Sequence, residues 1–220
     1  MNIAIDGPAG AGKSTIAKRL AEQLGFLYLD TGAMYRAVAL KALRGRIALD
    51  SEKDVEEMLR QTHIDVRHEQ GVQKVYLDGQ DVSEAIRENE VSKAASAVSA
   101  LKCVRMQMVE AQRRIAAGRD TILDGRDIGT FVLPHADVKF YLTASVQERA
   151  KRRCAELQAK GNACVLEDIQ KDIAQRDYND MHRDFAPLRQ ADDAVVVDSS
   201  RMTVDEVAAH MLRIVREKQA

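Results

Sequence analysis

The chain has 220 residues, which is long enough to bury the core of one domain and some additional structure. Its 33 Lys and Arg residues nearly balance 34 Asp and Glu residues, and the net charge of −1 argues against a nucleic-acid or membrane partner held by bulk electrostatics. No apolar run approaches the ~20 residues of a membrane-spanning helix, and Met1–Asp6 lacks the basic start of a secretion signal.

Five short apolar runs predict β-strands, and most of them precede a segment with helical periodicity. The runs are Asn2–Asp6, Phe26–Asp30, Thr121–Asp124, Val138–Thr143 and Ala194–Asp198. Near-continuous apolarity, as in Val195–Val197, is typical of a strand buried on both faces. Strands that alternate with helices predict an α/β fold built in three layers around a five-stranded parallel sheet.

Helix signals agree with this pattern. The segment Lys13–Leu24 places Ile16, Leu20 and Leu24 on one stripe and stops at Gly25. Two pairs have the spacing of a capping box ahead of amphipathic segments, namely Ser145 with Glu148 and Thr203 with Glu206.

One stretch interrupts the alternation of strands and helices. Period-2 runs between Ile64 and Val82 flank Gln70-Gly71, and Asp78-Gly79 offers a second turn. We therefore expect a small antiparallel β insertion on the parallel core. Further along, Lys160–Cys164 contains Gly-Asn and predicts a flexible loop.

The first strand leads directly into a phosphate-binding signature, Gly-Pro-Ala-Gly-Ala-Gly-Lys-Ser-Thr, which fits G-x-x-x-x-G-K-[ST] at the start of a helix. Its glycines let backbone N–H groups wrap a triphosphate, and the helix N-terminus adds partial positive charge. Lys13 would reach the β and γ phosphates, and the Ser14 hydroxyl would ligate Mg²⁺. The residues expected to bind ATP here are Gly7, Pro8, Ala9, Gly10, Ala11, Gly12, Lys13, Ser14 and Thr15. This P-loop indicates a class of protein and leaves the substrate open.

Polar motifs also follow the second and third strands, at the sheet edge where folds of this class bind ligands. Tyr28–Arg36 follows one strand and Asp124–Thr130 ends the other. A carboxylate that closes an apolar strand suits a water-mediated role at Mg²⁺, so Asp124 is a candidate for that role. The alternative is that Asp124 and Asp127 are solvated loop acids.

A helix running towards Pro187 changes character along one stripe. Ile169 and Ile173 lie on the same face, and this stripe continues through Arg176, Asp180 and Arg183. Either the charges form ordinary surface pairs, or the helix leaves the core and lines an anion-binding cleft. Arginines at strand ends favour the second interpretation.

Taken together, six segments resemble bacterial cytidylate kinases over nearly the whole chain. They are GPAGAGKST, LDTGAMYR, SKAASAVS, DGRDIGT, QRDYNDMHRDFAPL and ADDAVVVDSS. The resemblance implies a P-loop kinase fold of one domain, with an NMP-binding insertion at about 36–100 and a helical lid at about 147–168. It also implies transfer of the ATP γ-phosphate to CMP or dCMP, with Mg²⁺, in pyrimidine nucleotide metabolism.

The same resemblance assigns roles to individual residues. Arg36, Arg126 and Arg183 match arginines that hold the acceptor phosphate, and Lys13, Arg126 and Arg183 are the expected catalytic residues. The groups that read cytosine correspond to Ser96, Arg105 and Asp127. Arg176 and Asp180 match the pair that contacts the sugar, and Thr31 stands where some relatives carry serine.

Arg149, Arg152 and Arg153 predict a basic helix face, and the resemblance places Arg149 and Arg153 in a lid over the donor phosphates. The alternative is a solvated basic face, which is common. A closing lid would exclude water from the transferring phosphoryl group.

Three other functions would also use a P-loop. A P-loop kinase for another small molecule would share the phosphate-binding loop but lack the residues that read cytosine, Ser96, Arg105 and Asp127. A GTP-dependent switch needs an Asn-Lys-x-Asp motif, which the sequence lacks. A nucleic-acid-linked ATPase is disfavoured by the near-zero net charge.

The three cysteines, Cys103, Cys154 and Cys164, are odd in number and lack metal-ligand spacing. They predict free thiols in a reducing compartment, so we expect a cytoplasmic enzyme. We also expect a monomer whose partners are the nucleotides ATP and CMP or dCMP, with no nucleic acid and no membrane.

Overall fold

A computed structural model describes residues 1–69, 71–159 and 161–219. The strands are β1 (Asn2–Asp6), β2 (Leu27–Asp30), β3 (Ile64–Glu69), β4 (Val72–Leu77), β5 (Gln80–Asp81), β6 (Thr121–Gly125), β7 (Val138–Thr143) and β8 (Val195–Asp198). The helices are α1 (Lys13–Leu24), α2 (Thr31–Arg44), α3 (Glu52–Arg60), α4 (Asn89–Val98), α5 (Lys102–Ala116), α6 (Val146–Ala159), α7 (Leu166–His182) and α8 (Val204–Gln219). A 3₁₀ turn (Ala85–Arg87) and a π turn (Ile128–Val132) complete the elements.

The main sheet has five strands in the order β2-β6-β1-β7-β8, which confirms the predicted α/β fold with a five-stranded parallel sheet. Register places Asp6 at the end of β1 opposite Gly125 of β6 and Tyr141 of β7. The segments that follow these strands therefore leave the sheet at the same edge, which is where the candidate site is built.

The chain divides into two compact units. The first comprises Met1–Tyr28 and the described residues from Gly118 onwards. Its core lies on the sheet, where Ile3, Phe140 and Leu142 are buried together with Leu20 of α1 and Met211 of α8. Amphipathic helices supply this apolar layer because their apolar residues recur on one face.

The second unit is Leu29–Ala117. In it α2 packs against α4 and α5, and the small side chains Ala37 and Ala42 on α2 are fully buried, which allows close approach of helices. The antiparallel sheet β3-β4-β5 confirms the predicted β insertion. Asp78 and Gly79 both have positive φ, as a tight turn between β4 and β5 requires. Of the other predicted turn, Gln70 lies outside the described residues.

The cap predictions have different outcomes. Thr203 and Glu206 form the full reciprocal box, since each backbone N–H donates to the other side chain. At Ser145 only half of the box forms, because Glu148 N donates to Ser145 Oγ while Ser145 N donates to Ser200 Oγ.

The expectation of a final strand buried on both faces is wrong. In β8, Val195 and Val196 are exposed and Val197 is buried. The reason is position, since β8 is the edge of the sheet and has β7 as its neighbour.

The prediction of three free thiols is wrong for two of the cysteines. Cys154 of α6 and Cys164 are joined in a disulfide with Cα atoms 5.8 Å apart, and Cys103 is free. Helices α6 and α7 pack against each other, and Cys164 lies just before the start of α7. Lys160, part of the predicted flexible loop, lies outside the described residues. None of the helices in the described ranges combines the length and apolarity needed to cross a bilayer.

Candidate active site

The P-loop lies between the end of β1 and the start of α1, and its conformation depends on glycine. A Cβ atom at Gly7 would approach the Leu142 carbonyl oxygen to 1.9 Å. Gly12 has a φ of 92° and lies at the N-cap of α1. The first turn of α1 contains no acidic residue, so nothing in that turn neutralises the partial positive charge at the helix N-terminus.

Lys13, the first residue of α1, is buried, and its Nζ donates a 2.8 Å hydrogen bond to the Pro8 carbonyl of the P-loop. Burial lowers the pKa of Lys13 to about 7, and the charge of Arg126 acts in the same direction. The fold therefore holds this ammonium at an energetic cost, which an anionic phosphate would relieve.

Ser14 and Asp124, the two residues predicted for Mg²⁺, are brought together. The Ser14 hydroxyl donates to Asp124 Oδ2 at 2.8 Å, and the Tyr28 hydroxyl donates to Asp124 Oδ1 at 2.7 Å. Asp124 is buried at the carboxyl half of β6. The carboxylate is thus fixed on both oxygens, which excludes the alternative of a solvated loop acid for this residue.

Asp6, the last residue of β1, is a buried carboxylate that sequence reasoning did not select. It accepts hydrogen bonds from the backbone N–H of Ile128 at 2.8 Å and of Gly129 at 2.7 Å. Burial raises the pKa of Asp6 to about 6, against the two backbone amides, which lower it. Asp6 therefore ties the strand before the P-loop to the turn that follows Asp127.

A partly buried charge network surrounds Arg126. Its Nε donates to Asp180 Oδ2 at 2.8 Å, and Arg183 lies 3.5 Å from Asp127 and 3.9 Å from Asp180. Burial would raise the pKa of Asp180, but the charge and hydrogen bond of Arg126 outweigh it and hold the pKa below its ordinary value. Asp127 is also buried, so the solvated alternative fails for it too.

The two arginines predicted for a lid differ in environment. Arg149 is buried and donates to the carbonyls of Ala9 and Ala144 and to the Asp177 carboxylate. Arg153 is 42% exposed and pairs with Glu156 on its own helix. The structure therefore brings Arg149 to the P-loop and leaves Arg153 on the surface.

Four more of the predicted residues lie in the second unit. Arg36 donates to Asp30 at 2.8 Å, and Asp30 also caps α2 by accepting from Ala33 N. Thr31, the first residue of α2, is buried. Arg105 is buried on α5, donates to the Ser99 carbonyl at 3.1 Å and stacks over the Tyr35 ring at 5.4 Å. Ser96 lies near the end of α4 and is half-buried.

On α7 the buried stripe differs from the predicted one. Ile173 and Asp177 are buried, whereas Arg176 is exposed. The four-residue step from Ile173 leads directly to Asp177, so helical periodicity could have identified this acid. Asp6 and Asp30 carried a weaker signal, since both are simply acids at strand ends.

Comparison with known proteins decides the family. A family model described as Cytidylate kinase matches residues 3–217. The chain belongs to the cytidylate kinase family. It is 50% identical over 219 residues to a cytidylate kinase of Lactobacillus johnsonii, an alignment that covers 100% of this chain and 95% of the relative. It is 51% identical over 214 residues to a cytidylate kinase of Caldicellulosiruptor bescii, with 97% and 95% covered.

A solved structure of an uncharacterised protein from Eubacterium ventriosum has the same fold, with a TM-score of 0.52, 11% identity and 98% of each chain covered. Family membership makes the protein a phosphotransferase of the nucleoside monophosphate kinase type. It also confirms the predicted P-loop kinase fold.

Proposed function

We propose that this kinase transfers the γ-phosphate of ATP to CMP or dCMP and releases ADP with CDP or dCDP. The observation that carries the proposal is the arrangement in the first unit. A P-loop with a buried lysine follows β1, and Arg126 and Asp127 follow β6, the neighbouring strand in the sheet. Asp127 faces Arg183. This combination supplies donors for two phosphate groups beside a carboxylate that can accept a hydrogen bond.

The donor nucleotide is proposed to lie on the P-loop. The backbone N–H groups of Gly7–Thr15 wrap its phosphates, and Lys13 neutralises the β and γ oxygens. Mg²⁺ supplies charge neutralisation on the same oxygens when it is bound. Ser14 would hold it directly and Asp124 through water, which fits the observed pairing of a hydroxyl with a fixed carboxylate, both hard oxygen donors.

The acceptor phosphate is proposed to be held by Arg36, Arg126 and Arg183, whose guanidinium forks suit bidentate contacts with phosphate. An oxygen of the acceptor phosphate attacks the γ-phosphorus, and the bond from that phosphorus to the β-phosphate oxygen breaks. A phosphate monoester has a second pKa near ~6, so this oxygen is already ionised at neutral pH and needs no general base. The protein contributes positioning and charge stabilisation.

The base is proposed to be read by Ser96, Arg105 and Asp127, and the sugar contacted by Arg176 and Asp180. The Asp127 carboxylate accepts a hydrogen bond from the N4 amino group of cytosine, whereas uracil presents an acceptor oxygen at that position. Thr31 would contribute its hydroxyl to the acceptor side. Burial of Asp127 sharpens the discrimination, because an unpaired acceptor inside the protein is costly.

Two segments are proposed to move during turnover. The stretch at about 147–168, with Arg149 and Arg153, would act as a lid on the donor side, and the insertion at about 36–100 would act on the acceptor side. We further propose a cytoplasmic monomer without nucleic-acid or membrane partners. The net charge of −1 supports the absence of such partners. The proposed location rests on the kinase activity alone, because the Cys154–Cys164 disulfide removes the argument from free thiols.

An acceptor panel tests the proposal. ADP release is measured with ATP·Mg²⁺ and CMP, dCMP, UMP, AMP or no acceptor. We expect CMP and dCMP to exceed UMP by at least about 100-fold in kcat/KM, since a site built on polar pairing discriminates strongly. Equal rates with CMP and UMP would refute the role of Asp127, and a rate equal to the blank in every tube would refute the kinase proposal.

A further inference from the structure

Asp177 forms an enclosed ion pair with Arg149 beside the P-loop, and the roles proposed above leave this pair out. Its Oδ2 accepts a 2.6 Å hydrogen bond from Arg149 Nη2, and the two side chains are 11% and 4% exposed. Within the described ranges, its other oxygen is buried and has no hydrogen-bond donor. Arg149 is therefore the group that compensates this buried carboxylate.

The arginine in this pair also holds the P-loop. Arg149 Nη1 donates to the Ala9 carbonyl at 2.8 Å, and Arg149 Nε donates to the Ala144 carbonyl at 2.9 Å. Because a peptide unit is planar and trans, a carbonyl of Ala9 turned towards Arg149 leaves the N–H of Gly10 pointing the opposite way. Fixing one guanidinium thus fixes the direction of a P-loop amide.

Helix α7 carries a second, partly buried acid three residues further on, where Asp180 pairs with Arg126. Residues three apart lie on the same helix face. Asp177 therefore faces the donor loop through Arg149, while Asp180 faces the arginine proposed for the acceptor. The face of α7 that carries Asp177 and Asp180 therefore contacts arginines on both the proposed donor side and the proposed acceptor side.

We propose that Asp177 is a positioning residue that sets the affinity for the donor triphosphate by holding Arg149 on the Ala9 carbonyl. This inference rests on the proposed function for the identity of the donor as ATP. Loss of the Asp177 charge loosens the guanidinium, releases the carbonyl of Ala9 and lets the amides of the loop reorient. The acceptor side keeps its own anchor at Asp180.

The test compares three variants of α7. Asp177→Asn keeps the shape and an acceptor oxygen but loses the charge. Asp177→Glu keeps the charge, and Asp172→Asn makes the same chemical change at an exposed position of the same helix. ATP affinity is measured by equilibrium titration without acceptor, KM for CMP by ADP release, and folding by thermal melting.

We expect Asp177→Asn to weaken ATP binding by about 10-fold, the difference between a charge-assisted and a neutral hydrogen bond. We expect KM for CMP to change by less than about twofold, since the acceptor anchor is separate. Asp177→Glu is expected to retain most of the affinity, and Asp172→Asn all of it.

Three results overturn the proposal. The first is a lower melting temperature of Asp177→Asn with unchanged ATP affinity, which indicates a purely structural role. The second is a loss of ATP affinity accompanied by an equal rise in KM for CMP. The third is an equal loss of ATP affinity in Asp177→Asn and Asp177→Glu.

Should Asp177→Asn fail to fold, Asp177→Glu decides the question. Loss of ATP affinity in a folded Asp177→Glu protein contradicts the proposal, because the charge is still present. Retained ATP affinity supports it. The ATP titration needs no acceptor, so failure of the CMP assay in the unmodified protein would affect the proposed function alone.

Discussion

Replacement of Lys13 by methionine is expected to abolish phosphoryl transfer and at the same time to stabilise the ligand-free protein. Burial lowers the pKa of Lys13 from the ordinary 10.5 to about 7, with Arg126 acting in the same direction. At about 1.36 kcal/mol per pH unit, the difference corresponds to a penalty of at most about 5 kcal/mol on the charged form.

The sign follows from the direction of the shift. Because the folded pKa of Lys13 lies below the unfolded one, the penalty is fully present below pH 7 and falls as the pH rises towards 10.5. Methionine has a similar length and no charge, and it loses the hydrogen bond to Pro8, worth about 1 kcal/mol. We therefore expect a net gain of about 2–4 kcal/mol at pH 6, or roughly 5–10 °C in melting temperature.

The assay is a set of thermal and urea melts without nucleotide between pH 6 and pH 9. Lys18→Met on the exposed side of the same helix is the control, and it should change stability by less than about 0.5 kcal/mol at every pH. The gain from Lys13→Met should shrink by about 1.4 kcal/mol for each pH unit above 7. A variant no more stable than the unmodified protein at pH 6, or a gain independent of pH, would refute the reasoning.

Two further predictions concern the metal side of the site and the cysteines. Asp124→Asn should lower kcat/KM by about 10–100-fold and raise the Mg²⁺ concentration needed for half-maximal rate, because the charged acceptor of the Ser14 hydroxyl is lost. Tyr28→Phe removes the other hydrogen bond to Asp124 and should lower kcat/KM by less than about fivefold. Equal losses of kcat/KM in the two variants would contradict the role of Asp124. Denatured, unreduced protein should show one reactive thiol, Cys103, and two more after reduction, whereas three before reduction would contradict the Cys154–Cys164 disulfide.

Much of the fold follows from local pattern. The predicted strand boundaries agree with β1 and β7, and β2 and β8 begin one residue later than expected while β6 extends to Gly125. The predicted first helix also matches α1. These elements were predictable because a buried strand is a short continuous apolar run, and the apolar residues of a helix buried on one face recur every three or four positions.

What could not be predicted depends on distances across the chain. Nothing in spacing along the chain shows that Cys154 and Cys164 come together or that Arg149 reaches the Ala9 carbonyl. Similarly, the ion pair of Asp177 with Arg149 depends on how α7 packs against α6. Side-chain partners of this kind are set by tertiary packing rather than by propensity.

The γ-phosphoryl group of ATP is proposed to move to a cytidine monophosphate. The most direct measurement uses ATP labelled on its γ-phosphorus, with CMP and UMP present at equal concentration, and follows the label into products. We expect CDP to take up the label at least about 100-fold faster than UDP, with little inorganic phosphate formed. Label found only in inorganic phosphate, or shared equally between CDP and UDP, would contradict it.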